Sequence, residues 1–121
     1  MFTIRKLMRF EAAHVLSSSY SKACQRVHGH SYVVELFFKS KRLNNDGMVL
    51  DFGEVKDVAG PLIGKWDHTL ITPQDFPGGL NPTAEHMAEY LYKEIKTSIS
   101  MVSKVRVHET ATGWAEYSEE D

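Results

Sequence analysis

From Phe2 to His14 the chain alternates, with Phe2, Ile4, Met8, Phe10, Ala12 and His14 on one side and Thr3, Arg5, Arg9 and Glu11 on the other. Successive strand residues point to opposite faces, so this period of two predicts a long strand with one buried face, broken only at Lys6-Leu7. The period returns from His28, where His30, Tyr32, Val34, Leu36 and Phe38 share a side, and again from Val102 to Thr110. Trp114 to Tyr117 completes a hairpin around Gly113. Ser17 to Arg26 is polar and reads as a loop, and Lys39 to Gly47 turns the chain.

Half-buried strands need an apolar layer, and the middle of the chain supplies it. Between Asp51 and Trp66 the period changes, and Phe52, Val55, Ala59, Leu62, Ile63 and Trp66 recur at helical spacing. Asp51 with Glu54 resembles a capping box. Gly60-Pro61 inside this pattern is expected to kink or split the helix, since proline lacks the backbone donor and crowds the preceding turn. A Pro- and Gly-rich loop (Thr72 to Leu80) follows. Asn81-Pro82-Thr83 then opens a second helix with Ala84, Met87, Ala88, Leu91 and Ile95 on its apolar face, and Glu89 and Lys93 as an i,i+4 pair outside. The order β-β-α-α-β-β predicts an α+β domain in two layers, four antiparallel strands with both helices on one face.

At 121 residues the chain fits a single domain spanning 1–121, and no internal repeat is visible. A formal charge of −2 leaves no footprint for nucleic acid or an anionic membrane. The cluster Lys39, Lys41 and Arg42 reads as a solvated strand end. No apolar run approaches the roughly 20 residues of a membrane span, and the N-terminal stretch interleaves charge with apolar residues, without a signal-peptide core. Cys24 is the single cysteine, which rules out an internal disulfide and fits a reducing cytoplasm.

His28-Gly29-His30 places two imidazoles on one face of a strand, where both rings reach one point. His14 ends the other long strand in the buried register, and antiparallel pairing through the 15–27 loop brings it beside them. Three imidazoles with no fourth protein ligand are a catalytic zinc pattern, in which the ion keeps an open position for water or substrate. Packing or hydrogen bonding at a strand end is the alternative, and His14 at the matching end favours metal. Gly29 leaves the opposite face bare and permits close backbone approach there. His86, on a helix beside Glu85, reads as a surface residue. His108 shares its face with Lys104 and Arg106, which points to solvent or an interface. Cys24 lies four residues before His28, where zinc or an imidazolium makes a thiol acidic and suited to proton transfer. Asp67-His68 follows the first helix and offers a carboxylate-oriented imidazole, given a through-space partner. On these residues alone, an inert loop thiol and an ordinary helix terminus account for Cys24 and Asp67-His68 equally well.

Taken together, F-E-A-A-H (Phe10 to His14), C-x-x-x-H-G-H (Cys24 to His30), G-M-V-L-D-F (Gly47 to Phe52), W-D-H (Trp66 to His68), N-P-T-A-E (Asn81 to Glu85) and H-E-T (His108 to Thr110) resemble the 6-pyruvoyltetrahydropterin synthase superfamily in order and spacing, over nearly the whole chain. The family commonly has Leu before Asp-His and Leu-Asn shortly after it, where this chain has Trp66 and Ile71-Thr72. The resemblance implies the tunnelling fold, whose subunits assemble edge to edge into a barrel, here as a homohexamer of two stacked trimers. It implies zinc on His14, His28 and His30, with Cys24 as the catalytic thiol. It also implies Asp67 and His68 as the thiol's partners, arriving from a neighbouring subunit. Glu109 matches the acid that anchors the pterin, with Thr83 to Glu85 helping to hold the ring. A carboxylate there accepts from two adjacent N–H donors of a pterin at once, which gives a partner to a charge otherwise stranded on the apolar face of Val105 and Val107. The implied substrate is 7,8-dihydroneopterin triphosphate, its side-chain hydroxyls held by zinc. The compact spacing between Cys24 and His28 is similar to the bacterial 6-carboxy type, which serves queuosine biosynthesis and releases acetaldehyde. The 6-pyruvoyl reaction, with triphosphate elimination only, is the alternative, and a catalytically silent pterin- or zinc-binding paralogue is a more distant one.

Overall fold

The computed structural model describes residues 1–16 and 22–119 of the chain. β1 (Phe2–His14) and β2 (His28–Ser40) pair antiparallel over their whole length, from Phe2 opposite Ser40 to His14 opposite His28. Register is continuous through Lys6 and Leu7, so the expected break is only a change of side-chain character. Residues 17–21 of the expected loop lie outside the described residues. The rest of it forms a short 3-10 turn, Lys22–Gln25.

β4 (Val102–Thr110) pairs with the other side of β2, with a register shift between Phe37 and Phe38, and β5 (Gly113–Ser118) returns along β4. The four expected strands are joined by a fifth. β3 (Thr69–Ile71) lies parallel to β1, opposite Ala12 to His14, giving the order β3-β1-β2-β4-β5. Three residues are too few for periodicity to show.

α1 (Phe52–Gly64) and α2 (Ala84–Lys96) supply the second layer. Tyr32, Val34, Leu36 and Phe38 of β2 are fully buried, as are Met87, Ala88, Leu91 and Ile95 of α2, and all belong to one hydrophobic core. Each large apolar side chain removed from water stabilises the domain by about 1.5–3 kcal/mol, so this seam anchors the strand on which the histidines sit. Thr83 caps α2 by accepting from the His86 N–H at 3.1 Å. Asp51 caps α1, but its side chain accepts from Gly53 N–H at 2.7 Å rather than in the box expected with Glu54. Pro61 does not split α1. It sits in the last turn, and both it and Asp57, one turn earlier, are exposed.

The two departures from the family pattern are absorbed by packing. Trp66 is 2% exposed and lies against Phe10, Phe76 and Tyr90 at ring-centroid distances of 5.7, 5.7 and 5.6 Å. Ile71 is buried, and Thr72 N–H donates to Asp75 Oδ2 at 2.7 Å, which ties down the start of the loop. Among the described residues, no helix is long and apolar enough to cross a membrane.

Candidate active site

The antiparallel register sets His14 directly opposite His28 and Ala12 opposite His30. Directly opposed residues share a face, so all three imidazoles emerge on the helix side at one end of the sheet. Their ring centroids lie 4.4 to 5.1 Å apart, and one nitrogen from each falls within 4.8 Å of the others.

Hydrogen bonds fix which nitrogen is free. His14 Nδ1–H donates to the Pro82 carbonyl at 2.6 Å, with the Tyr32 hydroxyl 3.2 Å from the same nitrogen, and His28 Nδ1–H donates to the Arg26 carbonyl at 2.8 Å. A carbonyl only accepts, so Nδ1 carries the proton in both rings and Nε2 presents a lone pair. Among the described residues, His14 Nε2 and His30 Nε2 are buried without a hydrogen-bond partner. Leaving such a nitrogen unsatisfied costs about 1–3 kcal/mol, whereas a metal ion satisfies both. Burial lowers the pKa of His14 and of His30, the neighbouring Glu109 carboxylate opposing this in each. The shift favours the neutral ring, the form metal ligation requires. The donor set fits zinc: three nitrogens, no thiolate in the cluster and one coordination position left open.

Cys24 is half-buried in the 3-10 turn, and its carbonyl accepts from Leu16 N–H at 2.8 Å. That bond holds the thiol's segment beside the exit of β1, just past His14. Glu109, next to last in β4, has Oε2 4.0 Å from His30 Nε2. Together with Ala84, Glu85, Thr110 and Trp114 it lines a cavity of about 170 Å³. Thr83, expected with Glu85 at the ring, accepts the His86 N–H through its hydroxyl oxygen as the helix cap, which leaves its O–H free to donate.

Asp67 and His68 stand apart from this cluster. Asp67 Oδ1 accepts from Glu11 N–H at 2.9 Å and lies 3.0 Å from His68 Nδ1. Adjacent residues rarely orient one another in this way, and the left-handed backbone of His68 (φ 59°) is what permits it. The Glu11 amide, foremost, and then His68 hold the Asp67 carboxyl below its ordinary range, although desolvation opposes them. His68 borders an open cleft of about 440 Å³ with Glu11, Gly29 and Ser31. Ala12, Ala13, His30 and Thr69 line it as well, so the cleft lies at the β3 end of the strands and reaches His30. A Cβ on Gly29 would meet the Ala12 carbonyl at 3.6 Å, an ordinary contact, so no close approach within the chain requires glycine there.

Reading the sequence alone missed Pro82 and Tyr32 as partners of His14 and left His86 and His108 at the surface. His86 is half-buried and its Nδ1 bonds the Asn81 carbonyl at 2.6 Å. His108 Nε2 bonds Glu35 Oε1 at 2.6 Å in a charged network on the open face of the sheet.

Comparison with known proteins agrees with this architecture. The family model described as 6-pyruvoyl tetrahydropterin synthase matches residues 3–120. A 6-carboxy-5,6,7,8-tetrahydropterin synthase of Rickettsia felis is 32% identical, covering 96% of this chain and 99% of that protein. One of Aquifex aeolicus is also 32% identical, covering 97% and 98%. The solved structure of Caenorhabditis elegans 6-pyruvoyl tetrahydropterin synthase superposes with a TM-score of 0.83 at 25% identity, over 98% of this chain and 96% of that one. With the family match spanning nearly every residue and the histidine cluster at its strand ends, the chain belongs to the 6-pyruvoyl tetrahydropterin synthase family.

Proposed function

We propose that this chain is a zinc-dependent 6-carboxy-5,6,7,8-tetrahydropterin synthase. It acts on 7,8-dihydroneopterin triphosphate in the cytoplasm, releasing acetaldehyde and triphosphate, and serves queuosine biosynthesis. The observation that carries the reading is the pair of buried, unpartnered Nε2 atoms on His14 and His30, beside His28 and one carboxylate away from the Glu109 cavity. A zinc ion held by the three histidines supplies Lewis acidity toward the oxygens of the substrate side chain. Glu109 accepts the paired N–H donors of the pterin edge, and Glu85 lines the same cavity, with Thr83 holding that segment through its cap. Cys24 takes and returns protons at the side-chain carbons. Asp67 orients His68 for proton relay to a thiol, reaching the Cys24 of a neighbouring copy.

The 6-carboxy product is favoured by the relatives that carry that name and by the three residues between Cys24 and His28. Incubation with 7,8-dihydroneopterin triphosphate tests it. The expected products are 6-carboxytetrahydropterin and acetaldehyde, the latter read by a coupled alcohol dehydrogenase. 6-Pyruvoyltetrahydropterin without acetaldehyde moves the protein to the other branch, and zinc and pterin bound without turnover identify a silent paralogue.

A further inference from the structure

The imidazole of His14 is aimed by a carbonyl that belongs to neither strand of the site. Pro82 O accepts His14 Nδ1–H at 2.6 Å, and Pro82 is the middle residue of Asn81-Pro82-Thr83, the tripeptide entering α2. A proline has no N–H through which the sheet or helix ladder can hold it, so its carbonyl direction depends on its neighbours. Both neighbours are tied to one residue. His86 N–H donates to Thr83 Oγ1 at 3.1 Å, and the His86 ring folds back so that Nδ1 bonds Asn81 O at 2.6 Å. Thr83 N–H also donates to Asn81 O at 2.9 Å, which leaves that oxygen with two donors and the tripeptide in one conformation. On the other side of Asn81 the chain comes from Gly78 and Gly79, both at positive φ, where the backbone is most free to shift.

We propose that His86 is a positioning residue for the metal centre: by clamping Asn81 it fixes the Pro82 carbonyl that sets the tautomer and ring plane of His14. Partners that orient a ligating imidazole are worth about 10–100-fold in metal affinity when removed. His86 acts one bond further out, and its loss weakens zinc by about three- to tenfold. The inference rests on the zinc reading above and adds to it a residue outside the ligand set.

Two substitutions of matching shape separate the donor from the ring. In His86→Asn the amide nitrogen occupies the position of Nδ1, two bonds from Cβ, and still donates to Asn81 O. His86→Leu keeps the branched outline and removes the donor. Zinc affinity by chelator competition, alongside thermal unfolding of the zinc-free proteins, should show the leucine variant three- to tenfold weaker and the asparagine variant within about twofold of wild type. The visible spectrum of the cobalt-substituted leucine variant should also shift as the His14 ring turns. Wild-type affinity in His86→Leu overturns the proposal, as does an equal loss in both variants. If His86→Leu does not fold, nitrogen NMR of the zinc-free wild type decides, since the clamp requires the Nδ1–H tautomer of His86 and the Nε2–H tautomer overturns it. Wild-type protein that binds no zinc sinks this inference together with the zinc reading, whereas the variants bear on the clamp alone.

Discussion

Nothing in a side-chain pattern announces a backbone carbonyl, and the difference between what was legible and what was not at the residue scale follows from that. His14, His28 and His30 are readable because two residues of strand bring imidazoles to one face and a third sits at the paired end. Pro82 is invisible because its contribution is a main-chain oxygen delivered from a different layer of the fold. Tyr32 reads as core, which it is, and its hydroxyl beside His14 has no separate signal. The metal assignment predicts about one zinc per chain, with strong loss in His28→Ala and retention in Cys24→Ala, because the thiol lies outside the three-nitrogen cluster. Metal analysis of the purified proteins checks this, and equal zinc in wild type and His28→Ala removes the assignment. At Glu109 the expectation concerns substrate. Glu109→Gln turns one acceptor oxygen into a donor facing the pterin N–H edge, so pterin binding weakens by about 1.5–3 kcal/mol. Calorimetric titration with a non-reactive pterin reads it, and unchanged affinity places the anchor elsewhere.

At the scale of elements, long periodic segments declared themselves and short or exceptional ones did not. β1, β2, β4 and α2 lie where their periods put them, since burial of one face enforces the pattern over many residues. β3 escaped because its pairing is decided by where α1 releases the chain beside β1, not by its own three residues. Glu35 is the other exception, a buried carboxylate on the face of β2 away from the helices. Its partners come from the strands on either side: Arg5 of β1 at 3.0 Å, and His108 and Arg106 of β4 at 2.6 and 3.5 Å. Glu116 of β5 extends the network by binding Arg106 at 2.9 Å. Burial pushes the Glu35 carboxyl up, but hydrogen bonds from His108 and Arg5 and the charge of Arg106 outweigh it, and the net shift is downward from 4.5. A carboxyl lowered by folding stabilises the protein above its unfolded pKa and loses that contribution as pH falls through the folded value. Glu35→Gln should therefore lower stability by about 1–3 kcal/mol at neutral pH. The gap to wild type should hold above about pH 4.5 and close below it. Urea unfolding across pH measures it, and a gap independent of pH means that the charge contributes nothing.

For the whole molecule the proposed proton relay comes in two parts, one in the turn before β2 and one just before β3. Cys24 belongs to the end where His14 and His28 emerge, whereas His68, held by Asp67, borders the cleft lined by Glu11, Gly29, His30 and Ser31. His68 is anchored by Asp67 and by the β3 pairing with β1 that follows it. The proposed relay runs between chains, which needs only that two copies meet along a sheet edge. Both edges suit such a meeting. β3 is short and presents Leu70 at 48% exposure, and β5 presents Trp114 at 52%. Exposed edges of this kind invite pairing with another strand, and the proposed homohexamer of two stacked trimers would cover them. Cys24→Ala and His68→Ala proteins should each be inactive alone. Mixed under conditions that let subunits exchange, they should recover a fraction of wild-type turnover, because some interfaces then join an intact Cys24 to an intact His68. With random mixing of two subunit types at equal amounts, about one interface in four is intact, so recovery approaching a quarter of wild type is expected. Sedimentation checks the assembly on the same samples. A fully active monomer, or mixtures that stay inactive although exchange is demonstrated with tagged subunits, would return Cys24 and His68 to separate roles.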